Sequence, residues 1–124
     1  MQYSILIYST EDAFERLSED KQAEIMSEHH TLQAALKERG PFATAKLMPT
    51  SNAVTLKPAP EKGQKPLVVD GPFAETKERF LGLYVAEFGS LEEAIEFASI
   101  ISSPIVSLEI RPIAWAGGLF SDDA

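Results

Sequence analysis

The chain has no cysteine among its 124 residues. Disulfides, thiolate metal sites and thiol nucleophiles are therefore excluded. Histidine is nearly as scarce, with His29 and His30 only. Apolar runs fall far short of the roughly 20 residues that span a bilayer, so no membrane partner is expected. The opening Met1-Gln2-Tyr3-Ser4 lacks the basic flank of a secretory signal. These features together predict a soluble, cytoplasmic protein. Basic residues are outnumbered, 11 against 19 acidic, for a net charge of −8. They are also scattered, whereas binding to a phosphate backbone needs clustered Lys and Arg, so nucleic acid is not an expected partner. Neither a Gly-x-Ser-x-Gly turn nor a phosphate-binding glycine loop occurs. Two adjacent histidines on a helix point in different directions and do not chelate, so no metal is expected, and no cofactor.

The remainder is ordinary globular material, 44% apolar and 24% charged, of a size that suits one domain. We place it at residues 1–115, with a flexible tail at 116–124. Tyr3 to Ser9 reads as a strand with Ile5 and Ile7 on one face and Leu6 and Tyr8 on the other, both buried. Thr10 to Leu17 reads as a short helical turn. Ser18 opens a long helix with Glu19 and Asp20 in its first turn and Lys37 and Arg39 in its last, stopped by Gly40 and Pro41. Phe42–Met48, Ala53–Lys57, Pro66–Val69 and Phe80–Phe88 read as strands. Ser90 with Glu93 forms a capping box that opens a second long helix. Val106–Ile113 is a last strand, and Pro112 marks it as an edge or a strand end. Two strand–helix–strand units put both helices on one face of an antiparallel sheet, an α+β arrangement. The other face is apolar as well and needs a cover. The simplest is the same sheet of a second copy, which predicts a homodimer.

Candidate chemistry is limited to a few side chains. Ile25, His29, Leu32 and Leu36 share one helical stripe, so His29 faces the sheet while His30 turns away toward Met26, Gln33 and Lys37. In that cleft a carboxylate could set the tautomer of His29 for acid–base work; equally, one hydrogen bond would satisfy it as a core group. Asp70 ends an apolar, buried-looking strand and precedes Gly71-Pro72, where aspartate also closes turns through its own side chain. Glu75 and Lys77 suit a small polar or anionic ligand, or solvent. Arg111 shares a face with Ser107 and Glu109 and is placed for an ion pair. Tyr8 and Phe73 are candidate pocket walls, or packing aromatics.

The densest signal is the stretch Asp70-Gly71-Pro72-Phe73-Ala74-Glu75-Thr76-Lys77-Glu78. It resembles the motif of the DGPF-domain branch of the YCII-related proteins. Support comes from Tyr3 to Tyr8, from Met26-x-x-His29-x-x-Leu32-x-x-x-Leu36 (leucine at Leu32, where an aromatic is common), from Leu81-Gly82-Leu83-Tyr84 and from Val106 to Ile113. The resemblance implies a ferredoxin-like fold of the dimeric α/β-barrel type, dimerising through its sheets, with an active-site cleft between sheet and helix. It implies a catalytic histidine–aspartate pair, which carries over as His29 with Asp70. The ligand-contacting residues would then be Tyr8, Phe73, Glu75, Lys77 and Arg111. One branch of the family eliminates chloride from a ring substrate, so cofactor-independent lyase or hydrolase chemistry on a small molecule is the implied activity. Relatives beside sigma-factor-like regions imply the alternative, a ligand-binding or regulatory module with a protein partner.

Overall fold

A computed structural model describes residues 1–74 and 76–118. Its elements run in the order β1 (Gln2–Thr10), α1 (Glu19–Arg39), β2 (Phe42–Lys46), β3 (Val54–Lys57), β4 (Leu67–Asp70), β5 (Glu78–Glu87), α2 (Leu91–Ser99) and β6 (Val106–Pro112). Four strands form one antiparallel sheet in the order β2-β5-β1-β6. With β3 and β4 set aside, this is the βαββαβ order of a ferredoxin-like α+β fold.

The caps explain where the helices start. Ser18 accepts the backbone N–H of Lys21 and opens α1, and the N–H of Gly40 closes it on the carbonyl of Leu36. Gly40 has φ +146°, a conformation that favours glycine. Ser90 accepts the N–H of Glu93, while the Glu93 carboxylate accepts from Gly89 rather than from Ser90 itself. The second helix is shorter than expected, with 9 residues against 21 in α1. Between β1 and α1 the chain makes hydrogen-bonded turns, among them Arg16 N–H to the Asp12 carbonyl at 3.1 Å, in keeping with the short helical turn expected there.

Alternation along β1 and β5 turns Tyr3, Ile5, Tyr84 and Ala86 toward the helices, where they bury with Leu32, Leu36, Ala94 and Ala98. Each fully buried leucine contributes about 1.5–3 kcal/mol. Pro112 falls on β6, which is an edge strand, as its missing N–H requires. The opposite face carries Leu6, Leu83 and Val85 and is only half covered.

Two irregularities shape the rest. Ile7 pairs with Gly82 but Tyr8 pairs with Phe80, so Leu81 is an extra, bulged residue. Its carbonyl accepts the N–H of Leu47 instead. Beyond the bulge the faces of β5 exchange: Phe80 sits opposite Tyr8, and Arg79 sits opposite buried Ser9. The second irregularity corrects the reading of Pro66–Val69 as buried. Strand β4 pairs only with β3, and all four of its residues are exposed. The two strands form a separate ribbon, and Val54, Leu56, Leu67 and Val68 are each 60–66% exposed. Two strands supply neither a second layer nor a closed face.

Leu32→Ala is expected to lower the unfolding free energy by about 2–5 kcal/mol. Gly82→Ala is expected to cost about 1–3 kcal/mol, since its Cβ would stand 2.7 Å from the Ala45 carbonyl oxygen. Val68→Ala in the ribbon should change the stability of the single chain by less than about 0.5 kcal/mol. Urea denaturation followed by circular dichroism checks all three.

Candidate functional site

His29 projects from α1 onto the sheet and is half-buried, while His30 is exposed. The Nδ1 atom of His29 lies 2.8 Å from the Tyr84 hydroxyl. The rings lie 5.8 Å apart, tilted by only 18°. Gln33 Nε2 donates to the same hydroxyl at 3.2 Å, so Gln33 joins His29 rather than the exposed side of the helix with His30. A phenol that accepts from Gln33 has one proton left to give. In the tautomer protonated at Nε2, Nδ1 accepts that proton and His29 is a neutral imidazole. Burial, above all, holds the His29 pKa below its ordinary 6.5, with the charges of His30 and Lys46 adding to it. Such a group is a neutral acceptor or donor at physiological pH.

A second site lies at the far end of β5. A cavity of about 630 Å³ opens between residues of the segment Leu47–Ala53, the loop residues Pro72, Phe73, Ala74 and Thr76, and the start of β5, with Tyr8 of β1 in its wall. The loop is positioned by backbone bonds: the N–H of Gly71 donates to the Ala53 carbonyl at 2.8 Å, and Thr55 donates to the Gly71 carbonyl at 2.8 Å. Gly71 has φ +100°, which a side chain would resist. Thr76 donates to the carbonyl of Glu78 and closes the loop onto the strand. Tyr8 and Phe80 pack at 5.6 Å between ring centres. Within the wall, Arg79 Nη1 donates to Thr50 Oγ1 at 2.8 Å, and Thr50 donates to Glu11 Oε1 at 3.1 Å.

The residues singled out from sequence divide between these places. Tyr8 and Phe73 line the cavity. Phe73 is 85% exposed, an apolar ring held at the surface. Arg111 holds Glu109 at 2.6 Å, an ion pair within one strand, and Glu109 accepts from Tyr8 at 3.4 Å. That pairing with Arg111 keeps the Glu109 carboxyl below the usual carboxylate range. Lys77 is exposed, and Glu75 lies outside the described residues. Asp70 stands exposed at the end of β4. No hydrogen bond or ion pair among the described residues joins it to His29, whose ring bonds to Tyr84 instead. Neither His29 nor Asp70 lines the cavity. Sequence reasoning overlooked Arg79 and Thr50. Counting back from Tyr84 turns Phe80 toward the helices and Arg79 to the open face, and the bulge reverses both, so that Phe80 joins Tyr8 and Arg79 joins Ser9. A glycine inside a strand, Gly82, was the available warning.

The depressed pKa of His29 sets the sign of a pH effect. Between its folded value and 6.5 the unfolded chain binds more protons, so stability rises with pH across that window. The destabilisation is complete below the folded pKa and gone above 6.5. Unfolding free energy should therefore fall as pH is lowered from about 7.5 into the window, with a shallower slope in His29→Gln. Urea titrations at each pH test this, and an NMR titration of the His29 ring should show a midpoint below 6.5.

Known proteins share this chain's pattern. The YCII-related domain matches over residues 1–113. The uncharacterized protein R00369 of Rhizobium meliloti (strain 1021) is 36% identical over 118 residues, spanning 92% of this chain and 93% of that protein. Both comparisons run almost end to end, through the helix that carries His29 and the loop that roofs the cavity. The chain belongs to the YCII-related family.

Proposed function

We propose that this YCII-related chain binds a small, largely apolar molecule in the cavity beneath Pro72–Thr76 and does so as a homodimer. The observation that carries the reading is the cavity itself. Its size, about 630 Å³, is that of pockets that hold metabolite-sized ligands, and mostly apolar walls with a few polar groups are what such pockets have in common. The loop that roofs it is also the densest motif of the sequence. The dimer rests on separate grounds. Leu6, Leu83 and Val85 lie on the sheet face without helices, and the ribbon adds exposed Leu56 and Val68. Exposed apolar side chains gathered on a two-stranded ribbon are a feature of interaction surfaces.

A second reading, an enzyme, is favoured by one observation: a half-buried imidazole hydrogen-bonded to a phenol. His29 would then act as general base or acid. Tyr84 is the group that orients its ring within one copy of the chain, and Asp70 would take part only by moving or from elsewhere in the assembly.

A fragment screen on isotope-labelled protein separates the two. Ligand-induced amide shifts are expected at residues 47–53 and 73–80. Shifts confined to His29, Gln33 and Tyr84 would overturn the cavity reading in favour of the second. Sedimentation velocity should report twice the chain mass for the wild type and the single mass for Val85→Asp. A monomeric wild type would remove the dimer.

A further inference from the structure

We propose that the cavity takes a monocarboxylate with an apolar or aromatic body, and that Arg79 binds its charge. This rests on the reading of the cavity as the ligand site and names the class of ligand. The guanidinium has five N–H donors in a planar fork. Among the described residues one hydrogen bond uses them, from Nη1 to Thr50. The nearest carboxylate, Glu11, stands 3.7 Å from Nη2, beyond hydrogen-bond reach, and takes the proton of Thr50 instead. The Nε atom is buried and has no partner among the described residues. A buried N–H without an acceptor is costly to leave unmade.

The other paired arginines differ. Arg39 and Arg111 each hold a carboxylate at 2.6 Å. Arg79 is oriented by Thr50 and partly sheltered, its side chain 23% exposed, and its ion pair with Glu11 at 3.7 Å is looser than those two and leaves Nη donors unused. A carboxylate is the anion that matches two donors of that fork at once. The walls specify the rest of the molecule: Tyr8, Leu47, Met48, Phe73 and Phe80 offer apolar and aromatic surface. The charge count limits the anion to one. Glu11 already stands 3.7 Å from the guanidinium and Glu78 also lines the cavity, where Arg79 is the one basic residue among the described lining residues, so a second negative charge on the ligand would meet repulsion. Attraction to Arg79 acts within the cavity, while charges beyond about 8 Å are screened at physiological salt.

The test titrates phenylbutyrate and its neutral amide, phenylbutanamide, into the isotope-labelled full chain and follows the amides of Thr50, Asn52, Phe73 and Phe80. The acid is expected to bind at least about tenfold tighter than the amide. Arg79→Gln should bring the acid down to the affinity of the amide, and Arg79→Lys, which keeps the charge but not the fork, should retain part of the preference. Equal binding of acid and amide to the wild type would overturn the assignment of the charge while leaving the cavity as a ligand site. No shift at these residues with either probe would overturn both. The wild-type comparison and Arg79→Lys decide the matter if Arg79→Gln does not give a folded spectrum.

Discussion

The bulge at Leu81 is the constraint on which the cavity depends. Without it, β5 would keep one alternation from Glu87 to Glu78, and Phe80 would point at the helices. One extra residue reverses the order, so that Phe80 meets Tyr8 and Arg79 lies opposite Ser9. The same residue gives up its carbonyl to Leu47 and so carries the chain alongside the strand after β2 has ended. Gly82 fits this corner because the Ala45 carbonyl leaves no room for a side chain. A backbone irregularity thus turns a packing strand into a site wall, which is a common use of bulges at the ends of sheets.

The other polar centre obeys a different rule. Tyr84 is almost wholly buried between sheet and helix, and a buried phenol needs a partner. His29 and Gln33, four residues apart on one side of α1, provide two. This bond helps fix the rotation of α1 over the sheet together with Leu32 and Leu36, one and two turns further along. It is therefore structural as it stands, and the exchangeable proton on His29 is what gives the enzymatic reading its interest.

Much of the fold was legible because local signals and the burial pattern agreed. Ser18, the acidic first turn, the basic last turn and Gly40 bracket α1 within a residue. Ser90 and Glu93 locate the start of α2, and Pro112 identifies an edge strand. The failures have physical causes. Leu67-Val68-Val69 looks buried because apolar composition cannot distinguish a strand inside a sheet from a ribbon with bare faces. Arg79 was passed over because alternation cannot reveal a bulge. The histidine–aspartate pairing is an expectation from family resemblance, and alternation alone does not show that a tyrosine three residues from the bulge reaches the imidazole within the same chain. Of the residues singled out from sequence, Tyr8 and Phe73 line the cavity, whose wall also includes Arg79.

The β3–β4 ribbon has a consequence for how the molecule breathes. Its strands pair with each other and leave most of their side chains exposed. Local opening there costs far less than opening β1 or β5, so its amides belong to the fast-exchanging part of the protein. Yet its base is the hinge of the cavity roof, since Gly71 is tied to Ala53 and Thr55. Anything that grips the ribbon, a second copy above all, therefore also steadies the roof. On the proposed function, assembly and ligand affinity would be thermodynamically linked: a ligand that prefers one arrangement of this loop would tighten assembly by the same factor that assembly tightens the ligand.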